Sequence, residues 1–112
     1  MREIIKSEEF VVFYEALNKN VQEKIKYVLW MMEILPVVNS KFVKKLTNTS
    51  LYEVRISVDN EYRVLFIACD SLNYVQSTKI LLLNGFLKKS TKDYRAQIAL
   101  AKRIIDKYYE EA

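Results

Sequence analysis

Chemistry in this sequence rests on few side-chain types. There is no histidine and only one cysteine, Cys69. That excludes the usual zinc sites and every mechanism in which imidazole serves as base. The one glycine, Gly85, excludes a glycine-rich loop of the kind that cradles phosphates. Reactivity is left to Lys, Arg, Tyr, Asp, Glu, Ser and Thr. Within those limits Glu53, Arg55, Arg63, Lys88, Lys89 and Tyr94 stand out.

Tyr52, Val54 and Ile56 alternate with Glu53 and Arg55, so a strand here points the charged pair away from the apolar face. A turn at Asp59-Asn60 brings Arg55 opposite or diagonal to Arg63. Like charges across a ladder are destabilising unless an acid or a bound anion lies between them. The competing reading is a solvated charge ladder of Glu53 and its neighbouring arginines. Lys88 and Lys89 precede a helix start, where lysines and free backbone N–H groups suit a phosphate. The plainer reading is that Lys88, Lys89 and Lys92 solubilise a loop. Lys41, Lys44 and Lys45 carry the same two readings, with Phe42 and Val43 packed inward. Tyr94 either opens an apolar helical stripe or extends its hydroxyl to an RNA backbone. The acids of this region, Glu53, Asp59, Glu61, Asp70 and Asp93, lack metal-ligand spacing.

The elements that position these residues can be read from periodicity. Arg2 to Lys6 is β-prone. Ser7 caps a helix with Glu8 and Glu9 in its first turn and Phe10, Phe13, Tyr14 and Leu17 on one face. Asn20 and Glu23 form a capping-box pattern before Val21, Ile25, Val28, Leu29, Met32 and Leu35, and Pro36 ends that helix. After a polar connector come three strands: Tyr52–Val58, half-buried; Tyr62–Cys69, apolar on both faces; and Lys79–Leu87, nearly all apolar. Ser90 or Thr91 caps a last helix in which Tyr94, Ile98, Ala101, Ile105 and Tyr108 recur at helical spacing. The expected class is α+β: an N-terminal helical hairpin, an antiparallel sheet of three to four strands, and a C-terminal helix.

The 112 residues suit one domain over 1–112. Hydrophobic residues make up 51% and charged residues 29%, the balance of a globular chain. The net charge of +4 is uneven. Residues 1–35 hold five Lys/Arg against six acids, whereas residues 41–95 hold ten against five. That surplus favours a polyanionic partner, nucleic acid before membrane. No apolar run approaches the roughly 20 residues of a membrane span. The start of the chain is unlike a signal peptide, and the expected location is the cytoplasm.

Taken in order, Phe42-Val43-Lys44-Lys45-Leu46, Leu51-Tyr52-Glu53-Val54-Arg55-Ile56, Tyr62-Arg63-Val64-Leu65-Phe66, Ile80 to Lys89 and a helix with Ala101-Lys102-Arg103 resemble the HigB-like toxins of the RelE/ParE superfamily. The resemblance covers roughly residues 41–107 and lies in the ordered set, not in any one motif. It implies the RelE-like microbial ribonuclease fold and cleavage of mRNA in the ribosomal A site, without metal or cofactor. It also implies a cognate helix-turn-helix antitoxin, with operator DNA bound only through the antitoxin complex. By this likeness Arg63 stabilises transition-state charge and Arg55 positions the phosphate. Lys88 or Lys89 contacts the leaving group or the phosphate, and Tyr94 acts as acid or base. Glu53 stands where the RelE branch has a lysine, which makes it a candidate base. Lys41, Lys44, Lys45, Lys92 and Arg95 are the expected RNA and ribosome contacts. Two other readings keep the fold: a non-catalytic co-repressor that works with its antitoxin, and a gyrase-targeting toxin of the ParE type.

Overall fold

The computed structural model describes residues 1–111. Strand β1 (Glu3–Lys6) leads into helices α1 (Glu8–Glu15) and α2 (Lys19–Ile34). Strands β2 (Val43–Lys45), β3 (Tyr52–Val58), β4 (Asn60–Ala68) and β5 (Lys79–Leu87) follow, and α3 (Lys92–Glu111) comes last. The strands form one sheet in the order β1-β5-β4-β3-β2. β1 runs parallel to β5, and every other pairing is antiparallel.

The α+β class is as the periodicity predicts, but the sheet has five strands rather than three to four. β2 is the addition. It is only three residues long, and both lysines in it are exposed, so no alternation marks it in the sequence. α2 also starts earlier than expected. Its cap is Asn18, whose Oδ1 accepts from the Val21 N–H at 3.1 Å, and Asn20 lies within the helix. Ser7 caps α1 as predicted, its Oγ accepting from the Phe10 N–H.

Helices cover both faces of the sheet. On one, Phe10, Val21, Ile25, Val28 and Met32 pack against Val54, Ile56, Val64, Phe66 and Leu82. On the other, Ala101 and Ile104 of α3 pack against Leu65, Ile67, Leu81 and Leu83. β4 and β5 lie between these layers and are therefore apolar on both faces. Each fully buried aliphatic or phenyl side chain contributes about 1.5–3 kcal/mol relative to exposure. Gly85 lets α1 sit close to β5, since a Cβ there would lie 2.3 Å from the Phe13 ring.

One turn fixes the register of the charged strands. Asp59 links β3 to β4 with φ 62°, a left-handed conformation that aspartate tolerates better than most residues. The hairpin is so tight that Val58 already pairs with Asn60. Arg2 is buried where α2 ends. Its guanidinium donates to the carbonyls of Met32, Leu35 and Pro36 and lies 3.9 Å from the Tyr74 ring centroid.

Candidate active site

The tight turn makes Arg55 and Arg63 direct cross-strand partners. Their side chains point to the α3 side of the sheet together with Glu53, which pairs with Leu65 across the same ladder. The acid that two facing arginines require is present. Glu53 Oε2 lies 3.2 Å from Arg55 Nε and 3.6 Å from Arg63 Nε.

This face is not a solvated charge ladder. Glu53 and Arg63 are each only 3% exposed, and Arg55 is half-buried. The cover is Tyr94, from the first turn of α3, whose hydroxyl donates to Glu53 Oε1 at 2.7 Å and accepts from Arg63 Nε at 3.0 Å. Its ring meets Phe86 edge-on, with centroids 5.4 Å apart, while Lys88 Nζ stands 5.8 Å from the ring centroid. The apolar-stripe reading of Tyr94 holds for its ring, which packs with the α3-side core, while its hydroxyl is engaged by Glu53 and Arg63 within the protein. Burial, and then the hydrogen bond to Glu53, push its pKa up to about 12, so at neutral pH it is a hydrogen-bond donor.

Arg63 Nη1 donates to the Tyr62 carbonyl at 2.9 Å and to Glu61 Oε1 at 3.2 Å. Its Nη2 has no hydrogen-bond partner among the described residues. Glu61 also accepts from the Ser57 hydroxyl. That bond, with help from Arg63, holds the Glu61 carboxyl below its ordinary range. In front of the arginines lies a hollow of about 420 Å³ lined by Lys24, Lys41, Phe42, Arg55, Ser57, Glu61 and Arg63. Its size is within the range of small-ligand pockets. An unengaged guanidinium edge and three further cations around one concavity suit a phosphodiester.

Of the expected site residues, the fold brings Glu53, Arg55, Arg63, Tyr94 and Lys88 together, with Lys41 at the rim. Lys44 pairs with Glu53 in the ladder but is exposed. Lys45 turns away, its Nζ donating to the Thr49 carbonyl at 2.5 Å. Lys92 and Arg95 line a separate cleft with Thr91. The N–H groups of Lys88, Lys89 and Ser90, expected to be free for a phosphate, are already engaged. The Lys89 and Ser90 N–H groups both donate to Asp93 Oδ2 at 3.0 Å, and the Lys88 N–H donates to the Glu61 carbonyl. Neither Ser90 nor Thr91 caps α3 by its side chain; their carbonyls accept from Asp93 and Tyr94 instead.

Lys24, Phe42, Ser57 and Glu61 were absent from the sequence-based set. For Phe42 a signal existed, an aromatic ring between Lys41 and Lys44. Lys24 reaches the hollow from a different layer, which no local pattern reveals.

Residues 13–106 match the family model described as phage derived protein Gp49-like (DUF891). No curated relative matches the sequence. Several solved structures share the fold. The chain of the intact E. coli RelBE toxin–antitoxin complex matches with a TM-score of 0.62 at 14% identity, covering 80% of this chain and 100% of that one. The isolated E. coli RelE toxin matches with a TM-score of 0.61 at 15% identity, covering 93% and 99%. A mutant of E. coli RelE in the free state gives 0.63 at 14% identity, covering 91% and 95%. At these identities the likeness is one of fold.

Proposed function

The chain belongs to the phage-derived Gp49-like family, and from that premise we propose that it is the toxin of a type II toxin–antitoxin pair, of the HigB-like branch. Its activity is metal-independent endonucleolytic cleavage of mRNA in the ribosomal A site. It works in the cytoplasm and is restrained by a helix-turn-helix antitoxin, with which it reaches operator DNA. The observation that carries this reading is the buried Glu53–Arg63–Tyr94 network beside a cation-lined hollow. The RelE fold of the chain supports it.

RNA cleavage by internal attack needs a base for the 2′-hydroxyl, stabilisation of the charged pentacoordinate phosphorus, and a proton for the departing 5′-oxygen. In this reading the Glu53 carboxylate takes the 2′-hydroxyl proton. The 2′-oxygen bonds to phosphorus, the P–O5′ bond breaks, and the products are a 2′,3′-cyclic phosphate and a 5′-hydroxyl. Arg63, with its free Nη2, stabilises the charge on the phosphoryl oxygens, and Arg55 positions the phosphate. Lys88 donates the proton to the leaving oxygen. Tyr94 keeps its own proton and acts through its bond to Glu53, which orients the carboxylate. Lys41 and Lys44 contact the RNA or ribosome from the β2 rim, while Lys45, Lys89, Lys92 and Arg95 make outer electrostatic contacts.

The test is tightly controlled induction of wild type and Arg63→Ala side by side, with growth curves and mapping of mRNA 5′ ends. Rapid arrest with new cuts in translated messages, both lost in a folded Arg63→Ala, is the expected result. A toxic, well-expressed Arg63→Ala overturns the assignment of the key cation. Arrest without cuts overturns the nuclease reading.

A further inference from the structure

Aromatic rings and ammonium groups continue beyond the hollow along the outer face of α2. Phe42 lines the hollow, and the Arg55 N–H donates to its carbonyl at 2.7 Å, anchoring it beside the paired arginines. Lys24 Nζ stands 5.2 Å from the Phe42 ring centroid and 5.6 Å from that of Tyr27, so one ammonium group bridges both rings. Lys41 Nζ lies 5.6 Å from the Phe42 centroid. Tyr27 in turn stacks on Trp30, with centroids 6.3 Å apart and planes 27° apart.

Tyr27 is 50% exposed and Trp30 54%, although the opposite face of α2 is fully buried through Val21, Ile25, Val28 and Met32. The two rings are therefore not part of the core. Among the described residues, Lys26 is paired with Glu23, but neither Lys24 nor Lys41 has an acidic partner. Cores of protein–protein interfaces are poor in lysine. Flat rings alternating with unpaired cations instead match single-stranded nucleic acid, where bases stack on aromatics and ammonium groups follow the phosphates.

We propose that Phe42, Lys24 and the stacked Tyr27–Trp30 pair form a track for single-stranded RNA leading out of the hollow. Phe42 stacks on a nucleobase next to the bound phosphate, Lys24 contacts the following phosphate, and the Tyr27–Trp30 pair receives the next base. The track rests on the RNA reading of the hollow.

Trp30 is the sole tryptophan, so its emission reports directly on this surface. The probe is a short single-stranded oligoribonucleotide with 2′-O-methyl sugars, which bind without being cut. Wild-type emission is quenched saturably on titration. Phe42→Leu weakens binding about tenfold, within the range for losing one base–aromatic stack, and Phe42→Tyr, which keeps Trp30 the sole tryptophan, restores it. An abasic nucleotide, walked along the probe, weakens wild type but not Phe42→Leu at one position, a coupling that a purely structural role does not produce. Lys24→Ala lowers the slope of log affinity against log salt by about 0.7.

Unchanged Trp30 emission overturns the track. So does wild-type affinity in both Phe42→Leu and Tyr27→Ala. Loss of antitoxin binding in Tyr27→Ala, with RNA binding intact, makes the face a protein interface and also overturns it. If Phe42→Leu does not fold, Lys24→Ala, at a half-buried position, and Tyr27→Ala, at an exposed one, decide the matter. Quenching by RNA without mRNA cleavage leaves the track standing and removes the nuclease reading. Cleavage on ribosomes with unaltered Trp30 emission does the reverse.

Discussion

The Tyr94 hydroxyl donates to Glu53 Oε1 at 2.7 Å, across 41 residues of sequence. This bond docks the first turn of α3 onto the face of β3 that carries the charges. The same hydroxyl accepts from Arg63, so a single oxygen links a carboxylate, a guanidinium and a helix. The network is preorganised: Glu53 is held on one oxygen by Tyr94 and on the other by Arg55 and Arg63.

Tyr94→Phe removes that oxygen and leaves the ring. Glu53 Oε1 then loses its donor in a buried setting, which costs about 1–3 kcal/mol. Urea denaturation should show a lower midpoint with an unchanged slope. Cleavage should fall about 10- to 100-fold, since the carboxylate is no longer held in place. Wild-type activity in Tyr94→Phe would show that Glu53 does not need this orientation.

Glu53→Gln separates structure from chemistry in a different way. The substitution keeps the shape but leaves Arg63 buried without its carboxylate, and Glu61 compensates only from the exposed side. Removing one partner of a buried ion pair costs about 3 kcal/mol. Losing the anion between the arginines should also strengthen binding of inorganic phosphate, read as a larger phosphate-induced rise in Tm than in wild type. If Glu53 is the base, cleavage is lost although phosphate binds better. Tighter phosphate binding together with full activity would rule Glu53 out as base.

How much of this was legible in the sequence depends on what each residue reports. β4 and β5 are runs of apolar residues because both of their faces are covered, and such runs survive any context. The Arg55–Arg63 pairing follows from one tight turn. The burial of Glu53 does not, because alternation places it on the outer face and only the docking of α3, far along the chain, makes that face an interior one. β2 is too short for a period to show. Asn20 with Glu23 has a capping box in letters, yet Asn18 caps α2, since a helix can begin at either position and the choice depends on the connection from α1. Lys24 reaches the hollow through the packing of α2 on β3, a tertiary fact with no local trace.

Two tyrosines make the protein sensitive to alkali. Burial raises both Tyr74 and Tyr94 to about 12, against about 10 in the unfolded chain. A group whose folded pKa lies above its unfolded one contributes stability that is complete below pH 10. That contribution is lost as pH rises from about 10 to about 12. Absorbance titration of tyrosinate should show Tyr74 and Tyr94 ionising late, together with unfolding. Tyr94→Phe should remove one late step and leave that of Tyr74. Uniform titration near pH 10 would contradict the burial of both hydroxyls.

Gly85→Ala tests the seating of α1 on β5. The added methyl would meet the Phe13 ring at 2.3 Å, too close for either group to stay in place. Overpacking of this kind costs about 1–3 kcal/mol, and the strain falls where α1 covers β5, away from the arginines. Thermal denaturation should show a lower Tm, largely restored by adding Phe13→Leu, which makes room for the methyl. Coupling between the two sites is the informative quantity, because independent sites would give additive losses. Arg63 lies across from Phe86, next to Gly85 in β5, so a shift of β5 also moves the partner strand. Cleavage should therefore fall and recover in step with Tm. A Gly85→Ala protein with reduced stability but full activity would show that the arginine pair is insulated from the α1 side of the sheet.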